Sequence, residues 1–177
     1  MATCPTTLGR IELFGRYLLI RHDAYERLPS ANPIYGFKDG PITQQGQEHI
    51  TQVIQHLEEY LPYGINILYS ESKRGTTTAE AIRDSFKKTH VMAFQSSEML
   101  CEGNYEAFTP HFIERLLLPM IDDPIAIRYP TLIISHEPNI MRFSSHLSPD
   151  PFAQETPYYM DAITQSGLVF HEGNPTT

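Results

Sequence analysis

Short apolar runs that break off into polar residues set the rhythm of this chain. Tyr17 to Ile20 is one such run, and it delivers Arg21 and His22 at its end. Four successive apolar positions without alternation predict a strand buried on both faces. Ile65 to Tyr69 repeats the pattern ahead of polar Ser70 to Arg74, and Leu132 to Ile134 repeats it ahead of Ser135 and His136. Val91 to Phe94 and Leu168 to Phe170 are further candidate strands. Between these runs the apolar residues recur at helical spacing. Thr43 is placed to cap a helix carrying Ile50, Val53, Ile54 and Leu57, ended by Pro62 and Gly64. A second helix is predicted from near Thr76 through Ala79, Ile82 and Phe86. A third follows Pro110 through Phe112, Ile113, Leu116, Leu117 and Met120, and a fourth is opened by Pro138 and carries Ile140, Met141 and Phe143. Leu28 to Pro41, with its prolines, glycines, Ser30 and Asn32, reads as loop.

Strands alternating with helices predict an α/β fold, a three-layer α/β/α sandwich with a mainly parallel central sheet. Such sheets bind ligands beyond the carboxyl ends of their strands. Three polar clusters fall at strand ends: Arg21 with His22, Ser70 to Arg74, and Ser135 with His136. Far apart in sequence, they can meet at one rim.

Composition narrows the partners. With 177 residues, 41% of them apolar, the chain can bury one sizeable core, and a single domain over residues 1–177 is expected. Thirteen basic against twenty-one acidic side chains give a net charge of -8, the wrong sign for neutralising nucleic-acid phosphates. A pocket for an anion must therefore be local, and the basic residues that converge carry more information. Met1 to Arg10 lacks the pattern of a secretory leader, and no apolar run is long enough for a membrane span. Cys4 and Cys101 lack metal-ligand spacing, and reduced thiols in a cytoplasmic protein are the simplest reading.

The converging residues suit phosphoryl transfer. An imidazole attacks phosphorus without an activating base when its reactive nitrogen carries no proton, and His22 is the candidate nucleophile. Two guanidinium forks, Arg21 and Arg74, with the imidazole of His136, would hold the charged equatorial oxygens, so no metal or other cofactor is called for. A leaving oxygen still needs a proton, and Glu102 is the candidate acid. Glu98 and Glu106, four residues to either side, are alternatives.

Five stretches in order resemble the histidine phosphatases, the superfamily that includes the phosphoglycerate mutases. Leu19-Ile20-Arg21-His22 resembles the opening Arg-His-Gly motif, with Asp23 where the family has glycine. Asp39-Gly-Pro-Ile-Thr43 through Gly46 is similar to the Asp-x-Pro-Leu-Thr-x-x-Gly stretch. Ser70 to Ala79 resembles the segment that supplies the second arginine and enters a helix. Leu100-Cys-Glu102 resembles the acid motif, and Ile133-Ile-Ser-His136-Glu-Pro-Asn139 the second-histidine motif in the form of the small bacterial phosphohistidine phosphatases. The resemblance spans roughly residues 16–171. It implies His22 as nucleophile, Arg21, Arg74 and His136 as the phosphate pocket, Glu102 as proton donor, and a phosphorylated small molecule or phosphoprotein as substrate. The stretch after Glu102 is shorter than in the mutases, which favours hydrolysis over mutase-type transfer.

Other readings stand beside this one. Arg74 could pair with Glu71 on the surface. The fold could bind phosphoryl groups without turnover, given Asp23. A metal-dependent hydrolase could use His22, Asp23, His136 and Glu137, although the clustered spacing of such sites is missing. A serine hydrolase is a weaker reading still, since no Gly-x-Ser-x-Gly elbow occurs.

Overall fold

The computed structural model describes residues 17–22, 25–29, 37–58, 64–147, 162–164 and 167–170. In chain order the elements are β1 (Tyr17–Arg21), β2 (Tyr25–Pro29), β3 (Phe37–Ile42), α1 (Gln44–Glu58), β4 (Gly64–Ser70), α2 (Lys73–Ser85) and β5 (His90–Ser97). Two 3-10 turns follow, Glu98–Leu100 and Glu102–Ala107, then α3 (Pro110–Phe112), β6 (Thr131–Ser135), α4 (Glu137–Leu147), β7 (Ala162–Thr164) and β8 (Gly167–Phe170). Among the described residues, six strands form one sheet in the order β5-β4-β6-β1-β7-β8. β5, β4, β6 and β1 run parallel, while β7 is antiparallel to β1 and to β8. The mainly parallel sheet expected from the sequence is therefore present, with an antiparallel edge.

The unbroken apolar runs become strands because both faces of the sheet are covered. Leu18, Ile20, Ile65, Ile67, Leu132 and Ile134 point to one side and bury against Ile50, Ile54 and Leu57 of α1 and Ala79 and Ile82 of α2. Tyr17, Leu19, Leu68 and Ile133 point to the other and bury against Phe108, Ile113, Leu117, and Ile140 and Phe143 of α4. These are the three expected layers. Thr43 caps α1 as predicted, its Oγ1 accepting from the Gly46 amide at 3.0 Å. Among the described residues, no helix is long and apolar enough to cross a membrane.

The structure departs from the pattern in four places. α2 starts at Lys73, not near Thr76, because Ser72 supplies the cap and accepts from the Gly75 amide at 3.1 Å. The segment expected as loop between Leu28 and Pro41 is bounded by β2 and β3, which pair antiparallel with each other. Residues 30–36 between them lie outside the described residues, as does Asp23. The helix expected after Pro110 is regular for only Pro110–Phe112, widens to a π turn over Ile113–Leu117 and tightens to a 3-10 turn over Leu118–Met120. Pro119 has no amide hydrogen to donate back along a helix, so α-helical winding cannot continue there. The changed winding leaves Leu116 54% exposed while Ile113 and Leu117 are buried. Finally, the three-residue β7 has no counterpart in the sequence reading.

Candidate active site

Strand alternation and parallel pairing bring the polar ends together. Arg21 lies opposite Ser135 in the β1–β6 ladder, and the His22 amide extends that ladder by donating to the Ser135 carbonyl at 3.0 Å. Tyr69 lies opposite Ile134, which puts Ser70 level with the end of β6. Arg21, Ser70 and Ser135 each stand two residues beyond an apolar side chain of the α4 face, namely Leu19, Leu68 and Ile133, so they emerge toward α4. The rings of His22 and His136 lie 5.1 Å apart at 62°, and both residues are buried.

Each arginine expected in the pocket is held by carboxylate. Arg21 Nη2 lies 2.7 Å from Oε2 of Glu137, the first residue of α4. Arg74, in the first turn of α2, donates through Nη1 to the Tyr25 hydroxyl at 2.9 Å and through Nη2 to Glu102 Oε2. Its Nε lies 3.8 Å from Asp39 Oδ2, the oxygen that also accepts from the Arg74 amide at 3.4 Å. Burial of Arg74 works against its charge, but Tyr25, Asp39 and Glu102 outweigh burial and raise its pKa above the ordinary arginine value. The partners of this guanidinium thus come from β2, β3 and the turn after Leu100, not from Glu71 at the surface.

His136 is set differently. Its Nε2 hydrogen-bonds to Ser70 Oγ at 2.9 Å and lies 3.2 Å from Ser72 Oγ. Its Nδ1 is buried with no hydrogen-bond partner among the described residues. Burial, and then the positive charges of Arg74 and Arg21, lower its pKa to about 3, so the ring is neutral in ordinary buffers. A neutral imidazole in this position still offers one N–H and one lone pair.

The turn carrying Glu102 is tied to α4. Asn139 Nδ2 donates to the Leu100 carbonyl at 3.1 Å and to Ser135 Oγ at 2.7 Å, and Ser135 Oγ donates to the Leu100 carbonyl at 2.9 Å. Of the three candidate acids, Glu102 is the one whose carboxylate reaches Arg74. The carbonyl of Glu98 accepts from the Cys101 amide and from Asn104, and Glu106 is exposed. Cys101 carries a free thiol, with Sγ 3.3 Å from Ser70 Oγ.

His22, His136, Arg21, Arg74 and Glu102 therefore fall at one rim of the sheet. Tyr25 was not singled out from the sequence. It lies in no recognisable motif, and only its buried place beside His22 and Arg74 brings it to notice. Its ring centroid is 5.6 Å from that of His22.

No family model matches the sequence, and no curated protein matches it. Solved structures do match. The protein histidine phosphatase SixA complexed with tungstate has a TM-score of 0.54 and 16% identity, covering 85% of this chain and 90% of its own. A SixA protein from Agrobacterium tumefaciens has a TM-score of 0.57 at 11% identity, covering 83% of this chain and 88% of its own. YhfR from Bacillus stearothermophilus has 0.51 at 17%, covering 90% and 97% respectively. At these identities the likeness concerns architecture, and it is the fold of the histidine phosphatases that this chain adopts.

Proposed function

We propose that this chain is a metal-independent phosphatase that cleaves a phosphomonoester or phosphoramidate through a phosphohistidine on His22. The observation that carries this reading is the pair of buried imidazoles, 5.1 Å apart, at the sheet rim where Arg21 and Arg74 also converge. In this mechanism an unprotonated ring nitrogen of His22 attacks phosphorus, and the bond from phosphorus to the leaving atom breaks. Arg21 and Arg74 neutralise the oxygens throughout, and the neutral ring of His136 contributes a hydrogen bond. An imidazolium at that position would add a third positive charge beside two guanidinium groups, which is why the depressed pKa of His136 suits a donor that never ionises.

Glu102 gives its proton to the leaving group. Water then attacks the phosphohistidine, loses a proton to Glu102, and frees His22 as the P–N bond breaks. Arg74 is paired with Glu102, so a phosphoryl group that takes up the guanidinium competes with that carboxylate. Glu102, released from that ion pair, is then free to face the leaving group as the acid. The substrate is a phosphorylated metabolite or a phosphohistidine on another protein. The latter is favoured by likeness to a protein histidine phosphatase.

Hydrolysis of p-nitrophenyl phosphate and of phosphoramidate, with the His22→Ala variant as blank, tests the reading. Rapid quench of the wild-type reaction should trap acid-labile, base-stable phosphate on the chain. Turnover that survives in His22→Ala, with nothing trapped on an active wild type, would sink it.

A further inference from the structure

The hairpin of β2 and β3 grips Arg74 from two sides: Tyr25 stands at the start of one strand and Asp39 lies on the other. The pairing between them is irregular at the place that matters. Tyr25 lies opposite Ile42 and Arg27 opposite Asp39, so two steps along β2 match three along β3. Extra residues of this kind bend a strand and re-aim its side chains, and they recur beside functional sites. The stretch with the extra residue holds Gly40 and Pro41. A Cβ on Gly40 would come 2.8 Å from the Glu26 carbonyl and 2.9 Å from the Glu26 Cβ, so the strands can lie this close only with glycine there. Pro41 has no amide hydrogen for the ladder.

The consequence falls on Tyr25. The residue is 9% exposed, its ring stands edge-on to His22 at 67°, and its hydroxyl accepts from Arg74 Nη1 at 2.9 Å. The Arg74 Cζ lies 5.4 Å from the centre of the same ring. One side chain therefore touches both the candidate nucleophile and the candidate phosphate fork. A guanidinium has a plane that must match the oxygens it serves, and an acceptor fixed on one Nη atom restricts rotation of that plane. Glu102, over half exposed, cannot restrain it as firmly.

We propose that Tyr25 is a positioning residue of the phosphoryl pocket, its hydroxyl setting the plane of the Arg74 guanidinium and its ring walling the His22 imidazole. This rests on the phosphatase reading given above. Removing the hydroxyl leaves the charge of Arg74 in place, so binding of a tetrahedral anion survives. What is lost is the alignment on a five-coordinate phosphorus, where both forks have to meet the equatorial oxygens together.

The test compares inorganic phosphate with orthovanadate, which adopts five-coordinate geometry, by calorimetric titration of wild type, Tyr25→Phe and Tyr25→Leu. Tyr25→Phe should weaken vanadate by about tenfold and phosphate by less than about threefold, and should lower kcat on p-nitrophenyl phosphate about tenfold with KM little changed. Tyr25→Leu should lower kcat further, because the ring beside His22 is gone too. Equal weakening of both anions together with a lower unfolding temperature would make Tyr25 a merely structural residue, and wild-type vanadate affinity in Tyr25→Phe would remove its role outright. A wild-type chain that binds neither anion would overturn the pocket and this role with it. Selective loss of vanadate without any His22-dependent turnover would leave the positioning role standing and overturn the phosphatase reading instead.

Discussion

Acidification in phosphate-free buffer should destabilise this chain through His136. In the folded protein the pKa of that ring is lowered from 6.5 to about 3 by burial and by Arg74 and Arg21. Unfolding returns it to its ordinary value, so below about pH 6.5 the unfolded chain binds a proton that the folded chain refuses. The contribution of the neutral ring is intact above about pH 6.5 and is lost progressively as the pH falls toward 3. Single-site linkage gives a loss of about 2 kcal/mol between roughly pH 7.5 and pH 5, at a slope approaching about 1.4 kcal/mol per pH unit. Carboxylates add a pH dependence of their own, so the informative quantity is the difference between wild type and His136→Gln. Glutamine does not titrate, and its amide can still reach Ser70 and Ser72. Urea unfolding of both proteins across this range should show wild type losing about 2 kcal/mol more than the variant. Identical slopes, or an NMR titration of the His136 ring with a midpoint near its ordinary value, would show that the ring is neither as dry nor as crowded by positive charge as the geometry requires.

Three further outcomes are expected. Arg74→Ala should lower kcat/KM for p-nitrophenyl phosphate by roughly a hundredfold, and Arg74→Lys should recover only part of the loss, since lysine restores charge without the fork; unchanged kinetics would place Arg74 outside the pocket. Glu137→Gln removes the carboxylate that holds Arg21 and should lower KM by roughly threefold, a modest effect because Glu137 is one-third exposed; a raised KM in steady-state assays would mean that Glu137 orients Arg21 for substrate. Gly75→Ala places a Cβ 2.6 Å from the Ser70 carbonyl and 2.8 Å from the Ser70 Cβ, so α2 has to shift off the end of β4. The cost should be about 2 kcal/mol in urea unfolding, with loss of activity as the Ser70 contact to His136 is disturbed.

The parallel strands were legible because β1, β4 and β6 are buried on both faces and so carry unbroken apolar runs. Their ends were legible because Arg21, His22, Ser70 and His136 interrupt those runs abruptly. The β2–β3 hairpin was hidden, since a two-stranded piece with a proline in each strand, Pro29 and Pro41, and a bulge shows no clean alternation. Run length could not reveal β7, which has three residues. The start of α2, expected near Thr76, lies earlier because a cap depends on which hydroxyl meets a free amide, and that is Ser72. Tyr25 was beyond reach for a different reason: its meeting with Arg74 is a contact across 49 residues, and no periodicity links the two.

One consequence of the strand alternation concerns how this chain tolerates change in length. Leu19 and Arg21, Leu68 and Ser70, Ile133 and Ser135 share a face because each pair is two residues apart. A deletion or insertion of a single residue inside β1, β4 or β6 would turn the rim residue toward α1 and α2 and, in the same stroke, exchange the apolar side chains of the two cores. Core and chemistry are thus written in one reading frame. Losing the frame in any of these three strands removes both together, so inactive variants that remain well folded should arise by substitution at the rim and not by changes of strand length.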